Sequence, residues 1–266
     1  MTPEPLLDVR ELCVHFHGSN RNAVDRIGLR IRPGERMGLV GESGSGKTVT
    51  AMAISGLIER NKTDITGEVF FDGNDLLSCS RARLRDVQGP GIGVVFQEPM
   101  TSLNPLMRVG RQVEEVLRLP TDKTPAECRA LALEALELVG LPDPEGTYKK
   151  FPHQLSGGQR QRACIAAACV IHPKLLICDE PTTALDVTVQ AQIMQLLRGL
   201  SEEFGTAILL ISHDLSVVRR LCDSTAVMYR GHIVEEGRVE DIFERPQDEY
   251  TRRLIAAIPK RERRDE

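Results

Sequence analysis

Gly41-Glu42-Ser43-Gly44-Ser45-Gly46-Lys47-Thr48 constrains this chain more than any other stretch of it. The eight residues match G-x-x-x-x-G-K-[ST], follow the short apolar run 37–40 and open a segment of helical character, which dictates strand, loop and helix in that order. Glycine is needed where a backbone wraps an anion with its amides pointing inward, because a side chain would collide. The start of the helix adds about half a positive charge. Lys47 adds a whole one toward the outer phosphates of a nucleotide, and Thr48 offers a hydroxyl to Mg2+. A glycine-rich turn without a ligand is the alternative, and the flanking strand and helix count against it.

Runs 93–96, 175–178 and 207–211 are, like 37–40, short and apolar, of the kind buried on both faces of a parallel sheet. They alternate with helical stretches, so the fold class is α/β. Segments 6–16 and 27–31, with 67–72 closed by the turn pair Asp72-Gly73, predict an antiparallel sheet at the N-terminal edge. From Gln97 to about Arg162 the strand signal disappears. Thr124-Pro125-Ala126-Glu127 is a capping box with proline at the first helical position, and Leu131, Ala135, Leu138 and Val139 follow on one face until Gly140 stops the helix. Val189, Ile193, Leu196, Leu197, Leu200 and Phe204 mark a long amphipathic helix ended by Gly205. The expected organisation is a single domain over 1–266: an α/β core from 1–96 and 163–245, a helical insertion over 97–162, and a short tail over 246–266.

Composition removes several classes. The 266 residues are 41% hydrophobic, ample for a packed core, and the net charge of -4 offers no basic field for nucleic acid. No apolar run approaches the roughly 20 residues that span a bilayer, and Met1-Thr2-Pro3-Glu4-Pro5 has neither the basic nor the apolar region of a secretory signal. Membrane contact is therefore expected only through partners. The seven cysteines show no C-x-x-C pair and read as reduced core thiols. His15 and His17 would share one face of a strand, where a solvated edge is the plainer reading than a metal.

Asp179-Glu180 closes the run 175–178, so both carboxylates emerge at the carboxyl edge of the sheet beside the phosphate loop. Hydrolysis of a phosphoanhydride needs one carboxylate at the metal and one to orient or deprotonate water; by order, Asp179 takes the first role and Glu180 the second. Leu155-Ser156-Gly157-Gly158-Gln159 precedes another helix, and Ser156 with the amides of Gly157 and Gly158 forms a second helix-start anion site. For the pentapeptide alone, an ordinary N-cap with a glycine turn is the alternative. Two such sites could bind two phosphates, or share one nucleotide with a second chain.

Taken in this order, the loop, the Leu155–Gln159 pentapeptide and Asp179-Glu180 resemble the ATPase subunits of ATP-binding-cassette (ABC) transporters, and the resemblance runs through nearly the whole chain. It extends to Gln97 in Phe96-Gln97-Glu98-Pro99, to Thr183-Ala184-Leu185-Asp186 and to His213 in Ile211-Ser212-His213-Asp214. It implies a RecA-like P-loop NTPase cassette with an N-terminal antiparallel β subdomain and an inserted α-helical subdomain. In that family two ATPase subunits pair head to tail, with ATP between the loop of one and the signature of the other. The resemblance then places Ser156, Gly157, Gly158 and Gln159 against ATP held by the partner and Asp186 at the dimer interface. It places Gln97 near Mg2+ and the attacking water, and His213 at the γ-phosphate. Phe16 stands where an aromatic stacks on adenine, a core-facing strand phenylalanine being the alternative.

A narrower resemblance lies in 96–105, in Asp186-Val187-Thr188-Val189-Gln190-Ala191-Gln192 and in Glu249-Tyr250-Thr251-Arg252, which look like the ATPases of bacterial oligopeptide, dipeptide and nickel importers. Many of those continue after the Tyr-Thr stretch into a cysteine-containing extension that does not follow here, which keeps nickel beside peptides as expected cargo. The mixed-sign tail from Lys260 to Glu266 reads as a solvated end. The family implies an ATP-hydrolysing subunit at the cytoplasmic face of the membrane. Its partners would be a second ATPase subunit, related or identical, two permeases and an extracytoplasmic solute-binding protein. A non-transport ABC ATPase, accessory to a soluble enzyme complex, is the rival from another class.

Overall fold

The apolar runs that predict a central sheet all become strands of one. The computed structural model describes residues 4–98, 102–118, 121–183 and 185–258. Pro99, Met100, Thr101, Ala184, residues 1–3 and the tail from Lys260 lie outside them. Strands β3 (Arg36–Val40), β6 (Ile92–Val95), β7 (Leu175–Asp179), β8 (Ala207–Ser212), β9 (Ser224–Tyr229) and β10 (His232–Arg238) form a six-stranded sheet in the order β10-β9-β3-β8-β7-β6. Its ladders are parallel except β9 with β10.

Both faces of this sheet are buried, which is why its strands read as unbroken apolar runs. Leu176, Cys178, Ile208, Leu210 and Val40 pack on one side with the helices, while Leu175, Ile177, Leu209, Ile211 and Leu39 pack on the other. The second layer there is an antiparallel sheet, β2-β1-β4-β5, of β1 (Leu7–Phe16), β2 (Val24–Ile31), β4 (Thr63–Phe71) and the short β5 (Asn74–Asp75). The register shifts of β1, with Glu11 at φ 48°, all precede His15, and the strand ends at Phe16, one residue before His17. His15 bonds Asn22 at 3.2 Å and His17 bonds Asp64 at 3.2 Å.

The hairpin β9–β10 was not anticipated. Its signal is present: the apolar Ala226-Val227-Met228-Tyr229 precedes Arg230-Gly231, whose φ values of 49° and 90° give the positive-φ pair that a tight hairpin needs.

The phosphate loop leads into α1 (Lys47–Ile54), and α2 (Arg81–Val87) precedes β6. Between β6 and β7 the described residues contain helices and no strand: α3 (Val109–Arg118), α4 (Pro125–Leu138), α5 (Pro144–Lys149), a 3-10 turn (Pro152–Gln154) and α6 (Gly157–Cys169). Thr124 caps α4 as its sequence requires: the Glu127 amide donates to its hydroxyl, and the Thr124 amide donates to the Glu127 carboxylate at 2.7 Å. Helices α7 (Val187–Phe204), α8 (Leu215–Leu221), α9 (Val239–Glu244) and α10 (Glu249–Ala256) complete the chain, and Gly205 ends α7 at φ 67°.

The helical region is tied together by a buried carboxylate. Glu114 of α3, 1% exposed, accepts from Arg111 at 2.8 Å, from Arg118 at 2.9 Å and from the Tyr148 hydroxyl. Burial pushes its pKa up, but the Tyr148 and arginine bonds outweigh burial and hold it below the usual 4.5. A depressed pKa stabilises the fold above 4.5, and that contribution is lost as pH falls through the lowered value. Glu114→Gln should therefore cost about 1.5–3 kcal/mol near neutral pH. The gap from wild type should close in acid, as followed by denaturant unfolding at a series of pH values.

Candidate functional site

Adjacent rungs of the parallel sheet end together. Val40 pairs with Ser212, Ile211 with Asp179, and Cys178 with Val95. The residues that follow these ends, the loop from Gly41, Glu180, His213 and Gln97, are therefore delivered to one edge, where they line a cavity of about 640 Å3. Glu42, Ser43, Gly44, Gly46, Lys47 and Thr48 form its floor, and Ala23, Val49, Thr183 and Leu254 complete the wall. The volume lies within the range of small-molecule sites, roughly 300–1,000 Å3.

Two glycines of the loop are sterically required. A Cβ on Gly41, at φ 155°, would stand 2.1 Å from the Met228 carbonyl oxygen, and one on Gly46, at φ 111°, 2.4 Å from that of Ala23. Lys47 is buried at 4% exposure and donates through Nζ to the carbonyls of Gly41 at 2.8 Å and Glu42 at 2.9 Å. Burial lowers its pKa, while the charges of Glu180, Asp179 and Glu42 work against that shift. The side chain thus rests on two backbone carbonyls, and the three nearby carboxylates only partly offset the cost of burying its charge.

Asp179, the last residue of β7, is 4% exposed, and its Oδ1 has no hydrogen-bond partner. Burial raises its pKa, the Thr48 hydroxyl bond lowers it, and Glu180 adds a further upward push. An orphaned carboxylate oxygen bonded through its other side to the loop threonine fits a divalent cation. Mg2+ keeps several waters and takes one or two carboxylates plus phosphate oxygens rather than an all-protein cage. The described residues hold no cluster of three or more His, Cys, Asp and Glu that could form such a cage.

Glu180 stands at φ 45°, the left-handed region, which costs a non-glycine residue about 1–2 kcal/mol. The turn is held by its amide, which donates to the Ile211 carbonyl at 2.9 Å. Its carboxylate accepts from Gln97 at 3.2 Å and from the Thr183 hydroxyl at 2.9 Å, and lies 3.1 Å from His213 Nδ1. Three side chains from separate loops thus converge on one carboxylate.

The remaining expected residues lie elsewhere. Ser156 is the N-cap of α6: the Gln159 amide donates to its hydroxyl at 3.3 Å, and the Ser156 amide donates to the Gln159 side chain at 3.1 Å. Ser156 and Gly157 are exposed and, like Gly158 and Gln159, do not line the cavity. Gly158 also answers to packing, since a Cβ there would meet Val189 at 2.8 Å. Asp186 caps α7 by accepting from the Thr188 and Val189 amides at 3.0 and 2.9 Å. Phe16, at the end of β1, is 38% exposed and so is not a core residue, and it stands outside the cavity lining. Leu254 escaped the sequence reading, and Thr183 entered it only as the start of Thr183-Ala184-Leu185-Asp186, not as a residue of the cavity. Thr183 lies three residues beyond Glu180, a visible signal, whereas Leu254 arrives from a helix with no local mark of the site.

Residues 24–183, more than half of the chain, match the ABC transporter family model. The peptidoglycan transport ATP-binding protein YejF of Agrobacterium fabrum is 52% identical over 97% of this chain, which spans only 48% of that relative's length. The oligopeptide transport ATP-binding protein OppD of Bacillus subtilis is 47% identical over 96% of this chain and 72% of its own length. A solved ATP-binding cassette, a dimer in a post-hydrolysis state bound to ADP and Pi, superposes with a TM-score of 0.78 at 30% identity, covering 88% of this chain and 98% of that one. This chain belongs to the ABC transporter family.

Proposed function

We propose that the chain is the ATP-hydrolysing subunit of a peptide importer, driving uptake through separate permease subunits. The observation that carries hydrolysis is the convergence of Gln97, Thr183 and His213 on Glu180 above the phosphate loop. The peptide cargo rests on relatives named for peptidoglycan and oligopeptide transport. Among the described residues no helix is long and apolar enough to cross a membrane, which supports membrane contact through permeases. A second ATPase subunit and an extracytoplasmic binding protein complete the proposed assembly.

In this reading the loop amides and Lys47 bind the outer phosphates, and Lys47 exchanges its two backbone carbonyls for the phosphate oxygens. Thr48 and Asp179 would hold Mg2+, which neutralises charge on the outer phosphates. Glu180 accepts a proton from the attacking water while Gln97 and Thr183 fix its carboxylate. His213, hydrogen-bonded to Glu180, faces the γ-phosphate. Ser156, exposed at the start of α6, and the half-buried Gly158 serve the nucleotide held by the second subunit, so one copy carries half of each complete site.

Glu180→Gln keeps the shape of the side chain and its place among Gln97, Thr183 and His213 but removes the base. It should retain ATP binding and lose about 10^2- to 10^4-fold in hydrolysis, measured by phosphate release from the assembled transporter. Turnover near the wild-type rate would remove Glu180 as the base. Lys47→Ala should cost about 10^2-fold or more in the same assay, and chelation of Mg2+ with EDTA should stop phosphate release in wild type. Purification of the tagged chain from native membranes should bring two permeases with it; a soluble complex without them would overturn the importer reading.

A further inference from the structure

We infer that Tyr250 is a positioning residue for the phosphate loop, acting through one peptide unit on Lys47; the functional half of this inference rests on the nucleotide reading of the loop. The Glu42 amide donates to the Tyr250 hydroxyl at 2.9 Å. The carbonyl of that same peptide unit belongs to Gly41 and accepts from Lys47 Nζ at 2.8 Å. Tyrosine hydroxyl, peptide plane and ammonium therefore form a single chain of hydrogen bonds. Turning the plane to release one end misaims the other, and each bond polarises the next.

The tyrosine is built to hold that plane still. It is 5% exposed, and its ring stacks on Tyr229 with centroids 4.2 Å apart and planes 30° apart. Its backbone lies in the first turn of α10, where Asp248 accepts from the Tyr250 amide at 2.8 Å and from that of Thr251 at 3.4 Å. Asp248 is itself fixed by its own amide, which donates to Glu235 of β10 at 3.1 Å. The other side of the loop rests on the same hairpin, since the Gly231 amide donates to the Ser45 carbonyl at 2.9 Å. One turn beyond Tyr250, Leu254 enters the nucleotide cavity. Helix α10 thus reaches the site twice, by a hydroxyl beneath the loop and by an apolar side chain in the wall.

Glu42 is the second residue of the loop, upstream of the amides at the helix start, so Tyr250 occupies a donor that the phosphates do not need. Its effect on nucleotide runs through the aim of Lys47. Removing one hydrogen bond of this kind should weaken nucleotide binding about three- to tenfold.

The test uses the full chain and Tyr250→Phe, which keeps the ring and its stacking on Tyr229. Two quantities are read: the dissociation constant of a fluorescent ATP analogue, and the acylation rate of Lys47 in the nucleotide-free protein, followed by mass spectrometry and referenced to the exposed Lys62. The variant should bind the analogue about three- to tenfold more weakly, and Lys47 alone should become more reactive as its carbonyl acceptors lose their alignment. A general loosening would change other lysines as well, and such a pattern would overturn the inference. So would an unchanged value in either measurement. Labelling needs no nucleotide, so failure of wild type to bind the analogue would sink the nucleotide reading separately from the link between Tyr250 and Lys47.

Discussion

The structure depends on adjacent parallel strands ending level with one another. In a parallel ladder the hydrogen-bond register is even, so neighbouring strands deliver the residues after their ends to one line. Here that line holds Val40 beside Ser212, Ile211 beside Asp179, and Cys178 beside Val95. A slip by one residue in any of these ladders would exchange the two buried faces of a strand and move its terminal group away from the cavity. Burial on both sides of the sheet guards against such a slip, because Leu176 and Cys178 belong to one apolar layer and Leu175 and Ile177 to the other. The core and the site are therefore fixed by the same register.

Within that frame, charge is held under tension. Lys47 and Asp179 are both withdrawn from water, and burial drives each toward its neutral form. Nearby opposite charges only partly offset this shift. In the function proposed above, a phosphate-bearing ligand with a divalent cation would supply further counter-charge for the ammonium and a partner for the orphaned Asp179 oxygen. Glu180 differs in kind. Its carboxylate accepts from Gln97 and Thr183 and lies beside His213, and the left-handed turn beneath it is the conformational cost of that placement.

Much of this was legible in the residues, and for identifiable reasons. The loop, the capping box at Thr124 and the stop at Gly205 are local devices, whose chemistry is written within four to eight neighbouring positions. Strands β3, β6, β7 and β8 announce themselves because burial on two faces leaves no polar alternation. By contrast, β10 has a half-exposed, charged pattern, Ile233-Val234-Glu235-Glu236, and passed without notice beside the stronger signals. Tyr250 was visible only as part of a family-like stretch. Its bond to Glu42 spans 208 positions, and no periodicity carries information over that distance. Gly158 was read for an anion or a glycine turn, whereas packing against Val189 also asks for a small residue there.

The exposed signature gives the last constraint. Ser156 spends its hydroxyl on the Gln159 amide, and Gln159 returns the bond, so the start of α6 is internally capped and stable without a ligand. It does not line the chain's own cavity, and α6 packs into the helical core through Ala163, Ile165 and Ala166. In the assembly proposed above, the start of α6 would be presented to a second subunit, where the Ser156 hydroxyl would donate its proton to a phosphate oxygen while a lone pair still accepts from the Gln159 amide. On that reading a single cassette is complete as a fold and incomplete as a catalyst. Its phosphate loop, Asp179 and Glu180 meet at one sheet edge, and in the proposed assembly the donors of Ser156 to Gly158 would complete the site of another chain.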